Sequence, residues 1–305
     1  MKHGKASITS LVSAFSRAYH SQYDVPCIFN DSLAKELISP QEHSEIRNNM
    51  IQGMSFFDAG KASNMKDDPD AILKWIVHVQ LAPTPLARAA YCEQVLLQEV
   101  TLGATQYVIL GAGLDTFAFR HRELSSTLRI FELDIPATQE SKQSRLAQAN
   151  WNVPGNLTFI PMDFTLPLSV QAMINAGFRD HHKTFFSLLG VSYYLTKEDL
   201  SNLLRRIFAV VPSGSSIVFD YPDEHLFEEK GISNRVQNMI HMAAVGGEPI
   251  QTCYTYAEME ELLAKAGLLI YEHLSPVDIQ EKFFSNRTDD LSAFESVHYI
   301  HAVKL

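Results

Sequence analysis

The chain has 305 residues, 46% of them hydrophobic, and a formal net charge of −10; no Pro/Gly/Ser-rich or low-complexity tract divides it, so one enzyme-sized domain over 1–305 is expected. An acidic balance with no cluster of Lys and Arg argues against nucleic acid as a partner, and the lack of any run of eighteen apolar residues argues against a membrane span. Cys27, Cys92 and Cys253 are odd in number and far apart, which offers neither a disulfide framework nor a zinc site and suits a reducing cytoplasm.

Ile8, Leu11, Val12, Phe15, Ala18 and Tyr19 recur at i, i+3, i+4 and i+7, the spacing of a helix with one buried stripe, and residues 1–103 read as a helical cap. From there strand and helix alternate. Short apolar runs at 105–111, 128–134, 157–162, 184–190 and 215–221 read as strands, with helices near 114–124, 136–149, 167–177 and 197–211 between them. The helix from Lys197 is the clearest: Thr196 can cap it, Leu200, Leu203, Leu204, Ile207, Phe208 and Val211 share one face, and Pro212-Ser-Gly214 stops it. A polar segment over 222–255 reads as a lid or insertion. A helix at 257–266 closed by Gly267 and two strands near 268–274 and 296–304 complete the chain. That order predicts an α/β fold with a parallel, doubly wound sheet; 104–305 would be the core.

The stretch Tyr107-Val-Ile-Leu-Gly-Ala-Gly-Leu-Asp-Thr-Phe-Ala-Phe-Arg120, followed by Phe131-Glu-Leu-Asp134, carries the functional signal. A strand that ends in a Gly-x-Gly turn, with a second strand ending in an acid about twenty residues later, is how such a sheet holds an adenosine. The bland alternative is a tight strand-to-helix turn. Gly111 and Gly113 let backbone approach the ligand, and Asp134 sits where a carboxylate can accept both ribose hydroxyls. A dinucleotide needs a third glycine for its pyrophosphate, and Thr116 stands there; Asp115, just after the turn, repels phosphate. A cofactor with an amino acid and a sulfonium in place of phosphates fits better, and S-adenosylmethionine is that molecule.

Leu110-Gly-Ala-Gly-Leu-Asp-Thr116 with Arg120, Glu132-Leu-Asp-Ile-Pro136, Asp163-Phe164 and Tyr194-Leu-Thr196 resemble the successive motifs of the leucine carboxyl methyltransferase family, and Arg17-Ala18, Phe29-Asn-Asp-Ser-Leu-Ala34 and Arg88 fall in that family's order. The resemblance covers nearly the whole chain. It implies a Rossmann-like class I methyltransferase sheet, mainly parallel with a C-terminal antiparallel strand and helices on both faces. It also implies S-adenosylmethionine as cofactor and S-adenosylhomocysteine as product. By the same resemblance Gly111, Ala112 and Gly113 lie under the methionine part of the cofactor, Asp134 binds the ribose, and Asp163 reads the adenine amino group with Phe164 beside the ring. Arg88 pairs with the cofactor carboxylate, Arg17 is a second basic residue there, and Tyr194 faces cofactor and acceptor in the catalytic position. Leu189 departs from the pattern, since many relatives carry an acid five residues before the tyrosine to hold the cofactor's amino group.

Structural alternatives accompany these roles. Arg88 could pair with Glu93 at the surface, Asp163 could cap a turn before Pro167, and one of Tyr193 and Tyr194 should face the cleft because adjacent residues leaving a strand point opposite ways. His298 and His301 fall on opposite faces of the last strand, so at most one can help form an acceptor pocket, and no third metal ligand can be placed. A carboxylate acceptor is anionic at neutral pH, with a pKa of about 4, whereas a phenol near about 10 needs a base. The expected reaction is therefore methylation of a small-molecule or peptide carboxylate, ahead of a phenol or hydroxyl. A nicotinamide-dependent oxidoreductase and a non-catalytic cofactor-binding protein are the other readings.

Overall fold

The computed structural model describes residues 7–65 and 67–305. Its strands are β1 (Gln106–Leu110), β2 (Arg129–Asp134), β3 (Leu157–Pro161), β4 (Thr184–Leu188), β5 (Ser216–Pro222), β6 (Leu268–Leu274) and β7 (Val297–Lys304). They form one sheet in the order β3-β2-β1-β4-β5-β7-β6. β1 pairs in parallel with β2 and β4, β2 with β3, and β4 with β5, while β7 runs antiparallel to both β5 and β6. The expected sheet and its antiparallel C-terminal strand are both present.

Parallel strands covered on both faces read as continuous apolar runs, and alternate residues then serve two cores. In β1, Tyr107 and Ile109 pack with the helical cap, whereas Val108 and Leu110 pack with the opposite layer. The helices in chain order are α1 (Ile8–Tyr23), α2 (Pro40–Gln52), α3 (Met54–Phe57), α4 (Ala59–Met65), α5 (Pro69–Ile76), α6 (Pro83–Thr101), α7 (Phe117–Arg120), α8 (Pro136–Gln148), α9 (Val170–Asn175), α10 (Lys197–Phe208), α11 (Arg235–Gly246), α12 (Tyr256–Lys265) and α13 (Pro276–Phe284). α6 packs against β4, β5 and β7, so the helical stretch before residue 103 does not lie wholly above the sheet.

α10 forms as its sequence dictates: Thr196 accepts from the Asp199 N–H, Asp199 answers in a capping box, and Leu200, Leu203, Leu204, Ile207 and Phe208 are buried. Each of those side chains contributes about 1.5–3 kcal/mol relative to exposure. The helix expected near 114–124 is shorter, because α7 spans one turn before His121 breaks it and a 3-10 turn follows. The segment 222–255 is not structureless. It holds α11, pinned by the buried Arg235, whose guanidinium donates to Glu295 and to the carbonyl of Ser292. α13, absent from the sequence reading, starts at a capping box of Ser275 and Asp278.

Candidate active site

From β1 the chain winds outward in both directions, and the crevice at the carboxyl ends of β1, β2 and β4 is where such sheets bind ligands. A cavity of about 700 Å³ opens there. Gly111 and Ala112 donate to the Leu133 carbonyl at 2.8 and 3.2 Å, so the β1–β2 ladder continues into the turn. Gly113 N–H then donates to Asp134 Oδ2 at 2.6 Å, and Ile135 N–H to Oδ1 at 2.7 Å. Burial pushes the Asp134 carboxyl up, against those two donors, which hold it down. Gly111, Ala112, Gly113 and Asp134 all line the cavity. A Cβ on Gly113 would stand 2.9 Å from Ser10 Cβ, so α1 lies directly on the turn.

Arg88 also lines the cavity, and its partner is not Glu93. Its Nη1 donates to Asp220 Oδ2 at 2.9 Å, beneath the cavity floor. Asp220 is fully buried and accepts further from Gly190 N–H at 2.6 Å and Tyr193 Oη at 3.0 Å. Gly190 has φ +68°, and a Cβ there would meet the Arg88 guanidinium at 2.5 Å, so only glycine allows this approach. Glu93 instead pairs with Arg120.

Arg17 reaches the cavity wall by three bonds: Nε to Asp31 Oδ2, Nη1 to Ser13 Oγ and Nη2 to the Leu114 carbonyl, each 2.8 Å. Thr116, in the place of a third glycine, donates to Asp31 Oδ1 at 2.6 Å and ties the cap to the turn. Asp115 Oδ1 accepts from Phe117 N–H at 2.7 Å.

Phe164, Leu189 and Tyr194 line the cavity, whereas Asp163 does not. The Asp163 Oδ1 accepts from the N–H and hydroxyl of Thr165, at 2.9 and 2.7 Å, in the capping geometry given as its alternative. Tyr193 and Tyr194 both line the cavity, because they sit on a 3-10 turn and not on a strand, where neighbours would diverge. Burial, the largest influence, pushes the Tyr194 hydroxyl up to about 12. Neither His298 nor His301 reaches the cavity: His298 bonds His273 and Asp223, and His301 lies 3.6 Å from Glu99. Among the described residues no group of three or more His, Cys, Asp or Glu is placed to hold a metal, and no helix is long and apolar enough to cross a membrane.

Two acids escaped the sequence reading. Asp220 had a signal, a lone carboxylate within the apolar run Ile217-Val-Phe-Asp-Tyr221. Glu248 had none, lying in the polar segment after α11, yet it lines the cavity and accepts from Thr9 Oγ1 at 2.6 Å.

Residues 10–208 match the sequence profile described as leucine carboxyl methyltransferase. A protein of Bacillus subtilis (strain 168), YktD, whose name gives it as a candidate S-adenosyl-L-methionine-dependent methyltransferase, is 59% identical over 304 residues and covers 100% of each chain. A similarly named protein of Mycobacterium marinum is 28% identical over 164 residues, 54% of this chain and 52% of its own. The crystal structure of a DUF574 family protein from Streptomyces avermitilis shares the fold at 16% identity, with a TM-score of 0.56 over 96% of this chain and 97% of that one. The match over residues 10–208 and the 59% identical relative show that the chain belongs to the leucine carboxyl methyltransferase family of S-adenosylmethionine-dependent enzymes.

Proposed function

We propose that this protein methylates a carboxylate oxygen of a small molecule or a peptide C-terminus. The observation that carries the cofactor part is the convergence of the Gly111–Gly113 turn, Asp134 and the Arg88 guanidinium on one cavity, the donor and acceptor set an adenosine with an amino-acid tail requires. S-adenosylmethionine, when bound, supplies a methyl group on a sulfonium that an oxygen nucleophile displaces in line. Asp134 would take the ribose hydroxyls and Phe164 the adenine face. Arg88 would take the carboxylate with guanidinium hydrogens that Asp220 leaves free, supported by Arg17. Asp163, turned to Thr165, would reach the adenine only by giving up a capping bond.

Tyr194 would align the acceptor against the cofactor. The rest of the lining is apolar: Met50, Phe56, Met239, Met242, Ile250 and Phe294 suit an acceptor with an apolar body. A carboxylate already carries its charge at neutral pH, so alignment and water exclusion by the cap and α11 suffice. A hydroxyl acceptor is the second reading, favoured by His241, which lines the cavity against Phe56 and could take a proton.

Transfer of labelled methyl to a panel of carboxylic acids and phenols separates the two. A methyl ester releases labelled methanol in alkali and an ether does not. Alkali-stable product would replace the carboxylate reading with the hydroxyl one.

A further inference from the structure

We infer that Glu248 is the counter-ion for the positively charged amino-acid end of the cofactor, supplied from the lid where Leu189 leaves the β4 end without a carboxylate. The inference rests on the S-adenosylmethionine reading above. A zwitterionic tail needs a cation and an anion set apart in one cavity, and Arg88 provides only the first.

Four carboxylates line the cavity: Asp31, Asp115, Asp134 and Glu248. Asp31 is matched by Arg17 at 2.8 Å and Arg120 at 3.7 Å. Asp115 accepts from the Phe117 N–H, and Asp134 is held by two backbone N–H groups at the end of β2. Glu248 is 5% exposed and, among the described residues, has no Lys, Arg or His within ion-pair distance. Its donors are two neutral hydroxyls, Thr9 Oγ1 at 2.6 Å and Ser7 Oγ at 3.3 Å, both on Oε2, so Oε1 is left without a donor among the described residues. A carboxylate held only by neutral donors has no opposite charge beside it, and its open Oε1 can take a cation in the cavity.

Arg88, Tyr194 and Glu248 all line the one cavity, and the Tyr194 hydroxyl feels both charges: after burial, Glu248 raises its pKa and Arg88 lowers it. Glu248 follows the left-handed Gly247 that ends α11, and its own N–H donates to the Ala243 carbonyl. Ser7 is the N-cap of α1, and its N–H donates to Thr138 Oγ1. The carboxylate is therefore set where the segment after α11 meets the start of α1, beside the glycine turn.

The test uses full-length Glu248→Gln, which keeps shape and a hydroxyl partner, with calorimetry on two probes. S-adenosylhomocysteine carries the charged tail; 5′-methylthioadenosine has the same adenosine and sulfur without it. Glu248→Gln is expected to weaken S-adenosylhomocysteine at least tenfold and leave methylthioadenosine unchanged. Equal loss of both, or loss of neither, overturns the assignment. A wild-type chain that binds neither probe would overturn the cofactor reading instead. Thr9→Val, which loosens the carboxylate without removing it, is expected to give a smaller loss confined to S-adenosylhomocysteine; a loss spread equally over both probes would count against the assignment even if Glu248→Gln failed to fold.

Discussion

Arg88 of α6 and Asp220 of β5 are joined at 2.9 Å beside Gly190, so the residue expected to hold the cofactor carboxylate is itself held by the sheet. Asp220 is fully buried and serves three donors. Removing one partner of a buried pair costs about 3–5 kcal/mol, because the other charge is stranded. Asp220→Ala is expected to lose that much in urea denaturation; a loss below about 1 kcal/mol would mean the pair is not structural.

Gly190→Ala tests the same junction from the backbone. An alanine at φ +68° costs about 1–2 kcal/mol, and its Cβ, 2.5 Å from the guanidinium, must displace Arg88. Weaker S-adenosylhomocysteine binding, by tenfold or more, is the expected result. Unchanged affinity would remove Arg88 from the cofactor's contacts.

Asp134→Ala should keep the fold, since the carboxylate it deletes is desolvated, and should weaken S-adenosylhomocysteine by at least about tenfold, or about 1.4 kcal/mol. Retained binding would show that Asp134 only closes the Gly113 turn.

Tyr194→Phe is expected to leave S-adenosylhomocysteine affinity within about threefold while lowering kcat by about tenfold, the pattern of a residue that aligns and does not bind. A fall in affinity with kcat unchanged would make it a cofactor contact instead.

The cap is tied to the core by Glu42 of α2 and Arg145 of α8, at 2.6 Å. The Arg145 guanidinium draws the Glu42 carboxyl down to about 2. A depressed carboxyl contributes stability that is complete above the unfolded value of about 4.3 and is lost as pH falls through about 2. Melting temperature between pH 5 and 2 should therefore fall less steeply for Glu42→Gln than for the parent. Parallel slopes would show that the pair contributes nothing measurable.

The parallel sheet was legible because β1 and β5 are buried along their full length and so are mostly apolar, with Asp220 the charged exception in β5. The glycine turn and Asp134 were legible because their spacing along the chain is short. Asp220 and Glu248 were not, since both meet their partners across long separations, with Arg88 132 residues away and Thr9 239 residues away. Tyr193 was misjudged by treating a 3-10 turn as a strand. α11 begins from the left-handed Asn234 with no side-chain cap, which leaves little sequence signal at its start, whereas α13 had a readable Ser275–Asp278 box.

The central claim is that the cavity at the ends of β1, β2 and β4 holds S-adenosylmethionine. Calorimetric titration of the full-length protein with S-adenosylhomocysteine and, separately, NADH tests it most directly. One equivalent of S-adenosylhomocysteine should bind, and NADH should give no heat of binding. Binding of NADH alone, or of neither, would contradict the account.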